Sequence, residues 1–192
     1  MTRAKRTAIV AALNQRLRQH GSWSGETHMQ KAVYFLQELL RVRTDFDFVL
    51  YKHGPFSFDL RDVIGQMRAE RLLEFRQQPY PYGPSLVVPA QQEEVLRRRF
   101  PNTLRRYADR LEFVASELGR RRVSELERLS TALYVTRQDS SASDNAKARQ
   151  IVELKPHISY DDALSALRAV ADLEQRAEPL RRQRDSTAMQ PR

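Results

Sequence analysis

Residues 51–60 read YKHGPFSFDL, and within them an apolar run stops, turns and becomes a helix. The run that enters the stretch, Phe46 to Tyr51, is rich in β-formers and reads as a strand. Gly54-Pro55 forces the chain out of it, because proline lacks an amide and glycine tolerates dihedrals that other residues avoid. Ser57 then has the chemistry of an N-cap, and Asp59 and Asp62 suit the positive end of a helix dipole. Leu60, Val63, Ile64 and Met67 give a helix over about 57–70 its buried stripe. His53 stands beside the turn, so the question is whether it is chemistry or only part of a corner that aims a helix.

Upstream, Ile9, Val10, Leu13 and Leu17 mark one face of a helix over about 3–19, which ends at GSWSG, residues 21–25. Thr27 and Gln30 have the form of a capping box, followed by the stripe Met29, Ala32, Val33, Leu36 and Leu40. Downstream, Leu72 to Phe75 and Ser85 to Val88 flank the turn-rich QQPYPYGP, residues 77–84. Two helices, a strand, a third helix and a hairpin give the plan of a winged helix-turn-helix over about 1–90. The fold class expected is therefore mainly α with a small β-hairpin.

Residues 91–178 read as an all-helical extension. Leu104, Tyr107, Leu111, Val114 and Leu118 form a heptad seam, whose natural partner is the helix that follows it in an antiparallel hairpin. Ser124 and Glu127 resemble another capping box, and that second helix carries Leu126, Leu129 and Leu133. A shorter helix over about 144–154 and a last one capped by Ser159 complete the extension. From Pro179 to residue 192 apolar periodicity is lost and a disordered tail is expected.

Length and composition bound the function. The 192 residues suffice for one core, and the absence of cysteine excludes disulfides, zinc-thiolate sites and thiol nucleophiles. No signal-peptide pattern or run of apolar residues long enough to span a membrane is seen, so a cytoplasmic protein is expected. The formal charge of +9 is uneven. Residues 1–25 hold five bases and no acid, and residues 97–122 hold nine bases and three acids. Such segments attract phosphates or acidic protein surfaces.

THMQKAVYFLQEL and FVLYKHGPFSFDLRDVIGQMRAERLLE together resemble the Panacea (SocA-like) antitoxin domain and related bacterial winged-helix proteins. The matching residues are Met29-Gln30-Lys31-Ala32-Val33-Tyr34 and Tyr51-Lys52-His53-Gly54-Pro55-Phe56-Ser57, within about residues 26–76. The sequence departs at His53, where the family often has an aromatic residue, and at Arg71, where it favours glycine. The resemblance implies a non-catalytic module that holds a protein partner in a toxin–antitoxin or defence system.

No catalytic residue, metal site or cofactor is expected. His53 lacks a carboxylate fixed near it by sequence, and the four histidines show no ligand spacing. Asp45 and Asp47 read as solvated. Residues expected to meet a protein partner are Trp23, Tyr34, Tyr51, His53, Phe56 and Arg61. The alternative is a DNA-binding transcriptional regulator using Arg3, Lys5, Arg6, Arg16 and Arg18, Tyr80 and Tyr82 of the wing, and Arg97, Arg98, Arg105 and Arg106. The third helix, neutral overall and acidic at its start, is a poor groove reader.

Overall fold

A computed structural model describes residues 1–79 and 83–187. Within these the chain is mainly helical, with two two-stranded antiparallel hairpins. The order is α1 (Arg3–Gln19), α2 (Glu26–Glu38), β1 (Val49–Tyr51), β2 (Gly54–Phe56), α3 (Phe58–Ala69), β3 (Glu74–Arg76) and β4 (Ser85–Val87). There follow α4 (Ala90–Arg99), α5 (Pro101–Arg106), α6 (Ala108–Leu118), α7 (Val123–Gln138), α8 (Asp144–Leu154) and α9 (Tyr160–Thr187).

The Gly54-Pro55 corner is a hairpin rather than an exit from a single strand. Val49 faces Phe56, Leu50 faces Pro55 and Tyr51 faces Gly54, leaving Lys52 and His53 at the turn. Proline is tolerated there because the strand is one of only two. Gly54 has φ +85° and lies against α7, where an added Cβ would sit 2.9 Å from Ser130 Oγ and 3.2 Å from Thr131 Oγ1. Ser57 caps α3, accepting from the Leu60 amide at 3.2 Å. The helix closes on Arg71, a non-glycine residue at φ +57°. The Leu72 amide reaches back to Met67 O at 2.8 Å and the Arg71 amide to Arg68 O at 3.0 Å, the two bonds of a Schellman motif. The left-handed backbone is one that glycine adopts without strain.

Helix α1 is the hub. It is buried round its whole circumference from Thr7 to Asn14, not on one face, because Ala8, Ala11 and Ala12 let neighbouring helices approach. It packs on α2, α4, α5 and α6 and on β4. The seam Tyr107, Leu111, Val114 and Leu118 packs on α1 and α2 instead of pairing mainly with α7. The expected single seam is also broken at Tyr107, between α5 and α6. One cluster of buried apolar residues draws on both residues 1–90 and 91–178.

Two expected caps differ. Helix α2 starts from Gly25 with no side-chain cap, because the Gln30 amide is used elsewhere. Helix α7 starts one residue before Ser124, with the Glu125 carboxylate accepting from the Arg122 amide at 2.8 Å, and Glu127 is buried. The expected tail from Pro179 is helical as far as Thr187, and the rest of it lies outside the described residues. Helix α9 continues through that proline, Ala177 is buried, and Leu180 packs on the core while its carbonyl accepts from Arg110 Nε at 3.0 Å and Nη2 at 2.7 Å.

The two positive-φ sites give opposite expectations. Gly54→Ala lowers stability by about 2–4 kcal/mol, from left-handed strain plus contact with Ser130. Arg71→Gly raises it by about 1 kcal/mol, because only the strain is removed. Chemical denaturation of the two variants measures both.

Candidate functional site: an aromatic face on an anchored hairpin

The β1–β2 hairpin is held from behind by side chains of distant elements. Gln30, buried on α2, brackets Ser57: its Nε2 donates to Ser57 O at 3.0 Å, and its Oε1 accepts from the Ser57 amide at 2.9 Å. Lys31, next in the helix and also buried, donates from Nζ to Pro55 O at 2.8 Å. From the far side of the fold, Lys155 donates to Lys52 O at 2.7 Å and to Tyr51 O. Carbonyls of Tyr51, Lys52 and Pro55 thus accept from ammonium groups, in bonds stronger than neutral ones.

Glu127 offsets the charge of the two lysines. It is buried on α7, and its field opposes the burial that lowers both lysine pKa values. Burial still dominates at Lys31, whose pKa is pushed down to about 8, with Lys155 adding to the effect. Glu127 Oε1 also meets His157 Nε2 at 3.1 Å, and its Oε2 lies 3.7 Å from His53 Nδ1. His53 therefore has a carboxylate neighbour after all, but from residue 127 and beyond hydrogen-bond reach. Four grooves among the described residues are lined by other residues and do not include His53.

The hairpin and the start of α3 together present three rings that touch one another. Tyr51 and Phe56 have centroids 5.7 Å apart, Tyr51 and Phe58 6.0 Å, and Phe56 and Phe58 5.2 Å. The guanidinium of Arg61 lies 5.1 Å from the Phe58 centroid. Tyr51 is 56% exposed and Phe58 45%, with exposed Val49 beside them and Phe56 half-buried. Phe58 was not foreseen as part of the face. Its signal was available: it lies off the stripe of Leu60, Val63, Ile64 and Met67 at the start of α3.

Of the residues expected to meet a partner, Tyr51, His53, Phe56 and Arg61 are brought to this region. Tyr34 is not. It is 2% exposed and makes an edge contact with Phe48 at 5.0 Å, so it belongs to the core. Trp23 lies in a separate groove.

The basic residues meet along α1. Lys5 and Arg106 line a cleft of about 440 Å³ with Arg43, Thr103 and Tyr107. Arg16, Arg97 and Arg105 line a groove of about 570 Å³ with Glu93 and Glu112. Much of this charge is neutralised: Arg3 pairs with Glu70 at 2.8 Å, Arg16 with Glu112 at 3.5 Å, and Arg97 and Arg98 share Glu94. Arg6 is turned inward over the Phe46 ring, and Arg18 donates to Trp23 O at 3.4 Å. Tyr80 and Tyr82 lie outside the described residues. Among the described residues no cluster of histidine, aspartate and glutamate could hold a metal ion, and no helix is long and apolar enough to cross a membrane.

The lysine anchor makes stability depend on alkaline pH with a definite sign. Lys31 titrates near 8 in the fold and near its usual 10.5 when unfolded, so between these values the unfolded chain binds more protons. Stability therefore rises from pH 8 towards 10, by on the order of 3 kcal/mol at most. Above about 10 the buried Tyr34, whose pKa is raised by burial, acts in the opposite sense. In urea unfolding between pH 7.5 and 10, Lys31→Met flattens the rise. An unchanged slope would show that Lys31 does not carry it.

Comparison with protein-family models and with curated proteins returned no match for the chain.

Proposed function

We propose that the protein is a non-catalytic, winged-helix regulator that holds a protein partner on the aromatic face of the β1–β2 hairpin. The observation that carries the reading is the ring cluster of Tyr51, Phe56 and Phe58 with Arg61, exposed to solvent on a backbone fixed from behind. Aromatic residues and arginine dominate binding hot spots, and a rigid platform loses little entropy on association. The winged-helix reading is supported by the segment between α1 and α2. Ser24 O accepts from the Leu86 amide of β4 at 3.0 Å, and Asn14 Nδ2 bonds both Ser24 Oγ and Leu86 O. That segment takes the place of a short first strand beside the β3–β4 wing, with β1–β2 inserted before the third helix.

An antitoxin or defence-adaptor role rests on the resemblance across about residues 26–76. Its support is that the residues carrying the resemblance serve one another: Gln30 and Lys31 bond the backbone of Pro55 and Ser57. A second reading, a DNA-binding regulator, is favoured by one observation, the convergence of Lys5, Arg43 and Arg106 on a single cleft. The acidic start of α3 and the neutralised arginines of α1 and α4 weigh against it.

The test is calorimetric titration of the purified chain with the product of the reading frame beside its own. Binding is expected, and Phe58→Asp weakens it by roughly thirtyfold or more while the melting temperature stays unchanged. Equal binding by both forms would remove the aromatic face from the interface. No protein binding, with salt-sensitive binding of duplex DNA, would favour the second reading.

A further inference from the structure

A groove of about 860 Å³ lies between the α1–α2 connection, the β3–β4 hairpin and the start of α7. Its walls combine two features that the aromatic face lacks. The first is a pair of exposed rings, Trp23 at 40% and Phe75 at 41%. Phe75 is already stacked on one side by Arg68, whose guanidinium carbon is 3.5 Å from the ring centroid. The second is the consecutive run Arg120, Arg121 and Arg122.

These three arginines lie side by side without the ion pairs that several other arginines make. Arg3, Arg16, Arg97, Arg98, Arg137 and Arg176 each have a carboxylate within ion-pair distance. Among the described residues none of Arg120, Arg121 and Arg122 does; Arg121 donates only to the backbone carbonyl of Glu117, at 2.8 Å. Three adjacent cations without counter-charges repel one another, and an anionic ligand relieves that repulsion. The starts of α2 and α7 open on the same groove, so the positive ends of both helices add to the field of the arginines. Glu26 is the single carboxylate in the lining.

The walls are also shaped for flat groups. Gly21, Gly25, Gly83 and Gly119, four of the six glycines in the chain, line the groove. A Cβ on Gly25 would come within 3.1 Å of Trp23 Nε1, so this glycine keeps the indole in its place. An acidic peptide would use the arginines but has no need of two exposed rings beside them. A single nucleic-acid strand uses both, because its phosphates follow the cations and its unstacked bases lie on aromatic faces.

We infer that this groove binds single-stranded nucleic acid, with Trp23 and Phe75 stacking bases and Arg120, Arg121 and Arg122 holding the backbone phosphates. The site is separate from the hairpin face and does not depend on the protein-docking reading.

Trp23 is the sole tryptophan, so its fluorescence reports on the groove directly. The full chain is titrated with a short oligothymidylate, and in parallel with a polyglutamate peptide, inorganic polyphosphate and a duplex of similar length. The oligothymidylate is expected to quench Trp23 at lower concentration than the other three. Phe75→Ala weakens its binding by roughly five- to a hundredfold. Arg122→Gln lowers the salt slope by about 0.7, the value of one single-strand phosphate contact. Arg149→Gln and Arg168→Gln, exposed on α8 and α9, leave the titration unchanged, and matching melting curves exclude misfolding. Quenching by polyglutamate at equal or lower concentration would overturn the assignment in favour of an acidic peptide. Binding of the oligonucleotide that leaves Trp23 fluorescence unchanged, or that is insensitive to Phe75→Ala, would place it elsewhere and overturn it as well.

Discussion

The backbone from Tyr51 to Ser57 runs between the two halves of the chain, and side chains remote in sequence bond the carbonyls of Tyr51, Lys52, Pro55 and Ser57 beside its own hairpin pairing. Gln30 and Lys31 reach it from α2, and Lys155 reaches it from beyond α8. Such an arrangement costs the desolvation of two ammonium groups, and it stands because each donates to carbonyls and both lie in the field of Glu127. Gly54 completes the contact. Its missing side chain lets the hairpin lie against Ser130 and Thr131 of α7, so the joint is steric as well as electrostatic.

A hairpin of three-residue strands would be marginal by itself in water. Anchored on both sides, it becomes a stiff platform, and its outer surface can carry exposed rings without collapsing onto them. The same joint explains why residues 1–90 and 91–178 share a core. The C-terminal helices do not merely follow the N-terminal part; α6 covers α1 and α2, and α7 carries the glutamate beneath the turn. Histidine 53 belongs to this structural logic. It sits at the turn with its Nδ1 3.7 Å from Glu127 Oε2, beside the residue whose field steadies the lysine anchors.

The local signals in the sequence were read well where local physics decides. Ser57 as a cap, the buried stripe of α3, and the ends of α1 and α8 all follow from capping chemistry and periodicity. Long-range chemistry was not legible. The Thr27–Gln30 and Ser124–Glu127 pairs have the spacing of capping boxes, yet Gln30 and Glu127 turn to the hairpin, because a buried backbone group is a more demanding partner than a helix start exposed to water. Lys31 looks like a surface residue in sequence and is among the most buried side chains. Tyr34 follows the rule in reverse: an aromatic residue near the resemblance motif suggested a surface anchor, and the packing of α2 places it inside. The heptad seam found α1 and α2 rather than α7, since a stripe of apolar residues specifies that a face is buried but not what buries it.

The central claim is that α7 fixes the hairpin from outside its own sequence neighbourhood. Amide hydrogen exchange across residues 50–57, compared between the native chain and Glu127→Gln, tests this most directly. The account predicts exchange faster by roughly tenfold or more throughout the hairpin, although no residue in it has been changed, because two buried lysines lose their compensating charge. Unchanged exchange in the hairpin, with faster exchange confined to α7, would contradict it.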